Sequence, residues 1–222
     1  MTINYRSISN LNPDSNSPYC LRQATFEEAY EIWSIMDICY QALEHKEYFI
    51  CDDLDYVKNI LSGQGLGVVA CDKDNQIVGN LLVKYPGLEE ENLGYDVFVR
   101  FPKKHIQNIS SNADDCHQVI TSPDANICFK CTIPLTSENL KRVVHMDSAS
   151  VLPEHRGHGL ERHMITFAET LVDTSKYSYA FATVAPENTA SLKSLEKNGY
   201  QVMVTKEKYG GLTRSILMKI LK

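Results

Sequence analysis

No run of this sequence stays apolar for the roughly 18 residues that a membrane-crossing helix requires, so no membrane is expected among its partners. Basic charge is also scarce. With 22 Lys and Arg against 28 Asp and Glu the net charge is -6, and a nucleic-acid-binding face would need cationic side chains to meet phosphates. Nucleic acid is therefore not expected as a partner. The opening MTINYRSISNLNPDSNSPY has neither the basic nor the apolar segment of a secretion signal. Cysteine offers no disulfide framework: there are seven, an odd number scattered from Cys20 to Cys131. Together these absences point to reduced thiols and a cytoplasmic location.

What is present is the composition of a globular chain, 43% hydrophobic and 23% charged over 222 residues, enough for one α/β core with an insertion. Residues 1–17 read as a polar lead-in and 18–222 as a single domain. YCLRQA predicts a short strand. Thr25 and Glu28 have capping-box spacing, and Ile32, Ile35, Met36 and Cys39 then recur at three- and four-residue steps, the mark of an amphipathic helix. DDLDYVKNILSG predicts a second helix ending at Gly63. Two apolar runs around Lys73, Asp74 and Asn75 predict a hairpin.

Residues 86–141 break this rhythm with turn-forming clusters around short apolar pieces, and are read as an insertion carrying one or two strands. Order returns at Val143. VVHMDSASV predicts a strand, LERHMITFAETLVD a helix, YAFATV a strand, ENTASLKSLEKN a helix closed by Gly199, and the remainder a closing pair of strands around Gly210 and Gly211.

The segment VLPEHRGHGLERHM carries the most chemistry. It joins a strand to a helix through a tight turn in which Gly157 and Gly159 let the backbone approach a ligand without an obstructing Cβ. The first-turn N–H groups of a helix lack intrahelical partners and sit at the positive end of its dipole, which favours a phosphate. Arg156 and His158 add cationic donors. A two-glycine turn can also be only a turn.

Here the sequence resembles the GNAT superfamily of acetyltransferases. Val151, Pro153, Arg156, Gly157 and Gly159 match in order and spacing the family's strand and Gln/Arg-x-x-Gly-x-Gly/Ala coenzyme motif, while Glu161 stands where Gly or Ala is usual. VAPENTASLKSLEKNGYQV resembles the family's second motif through Asn188, Ser191, Gly199 and Tyr200. The resemblance implies an α/β (α+β) fold, a central mixed, mostly antiparallel sheet of about seven strands flanked by about four helices, with the insertion between the third and fourth strands. Residues 143–222 would form the half that binds acetyl-CoA, used as a cosubstrate with no metal.

The resemblance also implies roles. Ala149, Ser150 and Val151 would pair with the pantetheine amides like an added strand, with a backbone N–H near Val151 as oxyanion donor. Arg156, Gly157, His158, Gly159, Leu160 and Glu161 would surround the pyrophosphate, and Asn188 and Ser191 would reach the coenzyme from the second motif. An acceptor amine, on a small molecule or peptide, would attack the thioester directly. The family's acid Tyr falls at Leu195, leaving Ser194, Tyr200 or a water to protonate the thiolate. His145 and Asp147 alternate on the fourth strand and are candidate bases. A monomer or homodimer is expected. A coenzyme-binding sensor without turnover, and an acyltransferase for longer chains, are the alternatives.

Two other patterns carry less. Cys116, His117, Cys128 and Cys131 have donors suited to zinc but read more simply as ordinary side chains, and Glu91 and Tyr95 could reach an acceptor only if the insertion folds over it.

Overall fold

The computed structural model describes residues 17–85, 120–122, 125–127 and 141–221. In chain order these form β1 (Cys20–Gln23), α1 (Ala29–Gln41), α2 (Leu54–Asn59), β2 (Gly65–Cys71), β3 (Ile77–Lys84), β4 (Ile120–Ser122), β5 (Ala125–Ile127), β6 (Val143–Val151), α3 (Leu160–Leu171), β7 (Tyr179–Val184), α4 (Thr189–Lys197), β8 (Gln201–Lys208) and β9 (Leu212–Ile220). The expected order of elements is present. Seven strands make one sheet in the order β1-β2-β3-β6-β7-β9-β8. Every neighbouring pair is antiparallel except β6 and β7, which run parallel.

Period-2 burial places two cores on this sheet. Val68, Ala70, Val78 and Leu81 pack against Leu160, Met164, Ile165 and Phe167 of α3. Val69, Cys71 and Leu82 pack on the opposite face against Ile32, Met36, Val57 and Ile60 from α1 and α2. A central strand covered on both sides reads as a continuous apolar run rather than an alternating one, and every residue of β3 is buried. Each fully buried Ile, Leu or Met contributes about 1.5–3 kcal/mol.

The start of α1 follows the capping expectation: the Glu28 carboxylate accepts the Thr25 N–H at 2.8 Å and is held by Arg22 at 2.6 Å. The second predicted helix is α2 followed by a wide turn to Gln64, within which Gly63 has φ +126°. Within the predicted insertion, β4 and β5 form their own antiparallel pair. Glu91, Tyr95 and the Cys116, His117, Cys128 and Cys131 group lie outside the described residues.

The register contains two features that build the site. β6 pairs with β7 only from Val143 to Met146, opposite Tyr179 to Ala182, and beyond Met146 the strands part. On its other edge β6 pairs with β3 as Leu81 opposite Ala149 and Val83 opposite Met146, so three steps along β6 match two along β3. That is a β-bulge at Asp147 and Ser148, which bends the strand and re-aims its side chains.

Candidate functional site

The parting of β6 from β7 opens a cleft of 420 Å³. Its floor is the edge of β6 beyond Met146, which no described strand pairs. The Leu152 N–H bonds to Val78 of β3, so by alternation the N–H groups of Val151 and Ala149 face away from β3. Val151 and Ala149 both line the cleft, and the Val151 carbonyl accepts from Arg156 Nε at 3.1 Å. Ser150, between them, is 6% exposed, and its hydroxyl has no hydrogen-bond partner.

At one end the cleft meets the turn into α3. Gly157 has φ +84° and Gly159, the residue capping α3, has φ +69°. This left-handed conformation is the physical reason for glycine at both places. A Cβ on Gly157 would meet nothing within 4 Å, so conformation rather than crowding selects it. Arg156, Gly157, Gly159 and Leu160 all border the cleft beside the open N-terminus of α3. His158 does not: it is exposed and its ring lies 5.3 Å from that of Tyr19.

Across the opening stands α4. Asn188 caps it, accepting the Ser191 N–H at 3.3 Å, which leaves its Nδ2 as the group with which it could meet a ligand. Asn188, Ser191, Ser194 and Leu195 line this wall. Glu161, a first-turn side chain of α3, reaches across to α4, accepting from the Ser191 hydroxyl at 2.5 Å. Burial pushes its carboxyl above the usual range, with Ser191 and Ser194 opposing.

The other end is acidic. Asp147 lines the cleft, its Oδ1 3.2 Å from His145 Nδ1, and it accepts a hydrogen bond from the Tyr56 hydroxyl. Burial drives its carboxyl up, but His145, Tyr56 and Lys84 outweigh that and hold it below the usual range. His145 is 3% exposed beneath it, its Nε2 3.2 Å from Thr183 Oγ1 where β6 and β7 part. Because of the bulge, the next residue, Ser148, also reaches the segment around α2, donating to Asp52 at 2.9 Å. Burial first, then the Asp147 charge, push the Asp52 carboxyl up to about 6, against Ser148 and Lys84. Leu43, Tyr48 and Phe49 add apolar surface to the cleft lining.

The structure thus gathers Asp147, Ala149, Ser150, Val151, Arg156, Gly157, Gly159, Leu160, Glu161, Asn188, Ser191 and Ser194 around one space, with His145 just under it. It does not bring Tyr200 there. Tyr200 is 2% exposed in the core beside Glu169, under Lys219 at 5.7 Å from its ring centre. Burial and Glu169 push its phenol far up, the reverse of what an acid catalyst needs. Sequence reasoning missed Asp52, Tyr56 and Lys84, which act on Asp147 and Ser148 from behind the cleft lining. No local motif marks them, since the pairing of β3 with β6 and the packing of α2 bring them there.

The sequence profile of the Acetyltransferase (GNAT) family matches residues 131–200. No curated protein matches the chain by sequence. Among solved structures, a putative acetyltransferase from Salmonella typhimurium, seen with its cofactor acetyl-CoA, is 13% identical, covering 93% of this chain and 95% of its own at a TM-score of 0.58. An N-acetyltransferase from Staphylococcus aureus Mu50 is 13% identical over 93% of this chain and 100% of its own, TM-score 0.58. A GNAT superfamily phosphinothricin acetyltransferase from Sinorhizobium meliloti, in complex with acetyl-CoA, is 12% identical over 92% and 89%, TM-score 0.56. At such identities these structures speak for the fold, while the sequence match falls on the strand, turn and helix that build the cleft. The chain thus shares its fold with these acetyltransferase structures, and its residues 131–200 match the profile of the GNAT family.

Proposed function

We propose that this protein transfers the acetyl group of acetyl-CoA to a primary amine of a small molecule or peptide by direct attack. The observation that carries the reading is the unused edge of β6, where the N–H groups of Ala149 and Val151 face a cleft that ends at the N-terminus of α3. A pantetheine arm has amides at strand-like spacing and can complete such an edge. Its pyrophosphate then falls where Gly157, Gly159 and the α3 dipole favour an anion. Two of the similar structures hold acetyl-CoA, which supports that coenzyme here.

In this reading the Val151 N–H, pointing into the cleft, stabilises the oxygen of the tetrahedral intermediate. Cys39 also lines the cleft, but burial pushes its thiol up. A thiol held protonated is a poor nucleophile, which favours attack by the amine itself over an acyl-cysteine relay. The departing thiolate needs little help, because thiols ionise at about 8.5. Ser194, on the cleft wall, or a water can return its proton.

One observation favours a second reading, a coenzyme-binding sensor. Glu161 lies across the cleft wall and Leu195 replaces a proton donor there. Calorimetric titration with acetyl-CoA, CoA and a longer acyl-CoA separates the possibilities. Micromolar acetyl-CoA binding with thiol release in an amine screen supports the enzyme; binding without turnover supports the sensor; no binding by any of the three sinks both.

A further inference from the structure

Asp147 lines the cleft, and a second carboxylate, Asp52, lies close enough behind it to feel its charge and is tied to the neighbouring Ser148. They come from segments far apart in the chain, and the bulge in β6 is what unites them. With a regular strand, Asp147 and Ser148 would point to opposite faces. Here Asp147 takes the Tyr56 hydroxyl, and Ser148, its neighbour, takes Asp52. Tyr56 is in the first turn of α2 and Asp52 lies just before its N-cap, Asp53, so consecutive residues of the strand meet the start of one helical segment.

We propose that Asp52 is the general base of the acceptor reaction, and that Asp52 and Asp147 together form the site for the acceptor's ammonium group. This rests on the acetyl-transfer reading given above.

The division of labour follows from partners. Asp147 already has the Tyr56 hydroxyl on one oxygen and the His145 ring beside the other. Both of its oxygens already have a partner, so it serves as a fixed anion that positions a cation. Asp52 has one neutral hydroxyl, Ser148. Among the described residues the charged and titratable neighbours of Asp52 are Asp147 on β6, Lys84 on β3, Asp53 and Cys51 on its own segment, and Tyr209 on the β8–β9 turn; His145 and Tyr56 face Asp147. Among the described residues the two carboxylates share one lysine, Lys84. An arriving ammonium adds positive charge beside them, and Leu43, Tyr48 and Phe49 of the cleft lining offer its organic body an apolar, aromatic surface.

The proton balance is closed. Asp52 removes one proton from the ammonium, and the nitrogen lone pair forms the C–N bond at the thioester carbonyl carbon. The tetrahedral intermediate collapses, the C–S bond breaks with its electron pair on sulfur, and the second nitrogen proton neutralises the thiolate. Asp52 then returns its proton to solvent. A carboxyl that loses its proton at about 6 is ionised at neutral pH while remaining a stronger base than an ordinary aspartate.

The test uses the whole protein with 13C-carboxyl-labelled aspartate, Asp52 being assigned from its missing signal in Asp52→Asn. Its titration is followed by NMR alone and with n-butylamine or phenethylamine. The expected result is a midpoint near 6 that falls when either amine is added, because a bound cation favours the carboxylate. An ordinary aspartate midpoint, or no response to either amine, overturns the proposal.

Turnover with the amines that react supplies the second arm. Asp52→Asn should lower kcat by about 100-fold or more and abolish the rise in rate through pH 6, with acetyl-CoA affinity kept and partial recovery in Asp52→Glu. A pH limb unchanged in Asp52→Asn overturns it. Calorimetry with acetyl-CoA distinguishes the two failures: without coenzyme binding the acetyl-transfer reading fails, while the NMR titration still decides Asp52.

Discussion

The carboxylate of Glu161 on α3 and the hydroxyl of Ser191 on α4 are 2.5 Å apart, a contact that ties together the two helices bordering the cleft. It sets a titratable carboxyl beside the place where a pyrophosphate would lie. Burial raises the Glu161 carboxyl, so it stays protonated above the ordinary glutamate range and charges as pH climbs further. Coenzyme affinity should therefore fall with rising pH in the native protein. Glu161→Gln should bind acetyl-CoA several-fold more tightly at pH 8 and flatten the trend, as followed by calorimetry at several pH values. Equal affinities across the series would show that the carboxylate turns away when the coenzyme arrives.

Gly159 holds φ +69° at the start of α3, and a Cβ there would meet only His163 Cε1, at 3.8 Å. The site is roomy but conformationally demanding. Gly159→Ala should cost about 1–2 kcal/mol of stability and retain measurable coenzyme binding. Gly159→Asp adds an anion at the helix dipole's positive end and should abolish that binding. Thermal unfolding and calorimetry on the pair separate strain from charge.

Asp147 provides a stability test with a defined sign. Its carboxyl is held below the value of 3.8, so it stabilises the fold above that pH and the benefit disappears as pH falls through its lowered midpoint. In Asp147→Asn the loss of stability on acidification below about pH 4 should be smaller than in the native protein. Unfolding midpoints measured from pH 6 down to 3 check this, and parallel curves would remove Asp147 from the charge network.

Tyr200 should be silent in catalysis. Its hydroxyl is buried without a hydrogen-bond partner, so Tyr200→Phe should leave stability within about 1 kcal/mol and turnover close to native. A large drop in kcat would restore it as the acid. Ser194→Ala is the informative companion, since Ser194 lines the cleft.

Much of this was legible in the sequence because it is written locally. The 3.6-residue spacing of Ile32, Ile35, Met36 and Cys39 marks α1, and Arg156, Gly157 and Gly159 mark the cradle without reference to distant residues. The acceptor end was not legible. His145 and Asp147 were expected on one side of the strand, and they are 3.2 Å apart, but strict alternation would put Ser148 on the far face. The bulge that turns it depends on how β3 registers against β6, a relation between segments some 65 residues apart that no local pattern encodes. Asp52 was invisible for the same reason, and Tyr200 was misplaced because a motif position says nothing about depth in the core.

The parallel seam between β6 and β7, only four residue pairs long, leaves the sheet an incomplete structural element. Whatever completes that edge becomes part of the folded scaffold and is coupled to its stability. A ligand present at a hundred times its dissociation constant adds about 2.7 kcal/mol to the resistance to unfolding. Amide hydrogens of Ala149 and Val151, unmatched by a neighbouring strand, would exchange quickly in the empty protein and slow together once the edge is filled. The acyl donor would then act as the last strand to assemble, and each cycle of turnover would partly dismantle and rebuild the sheet.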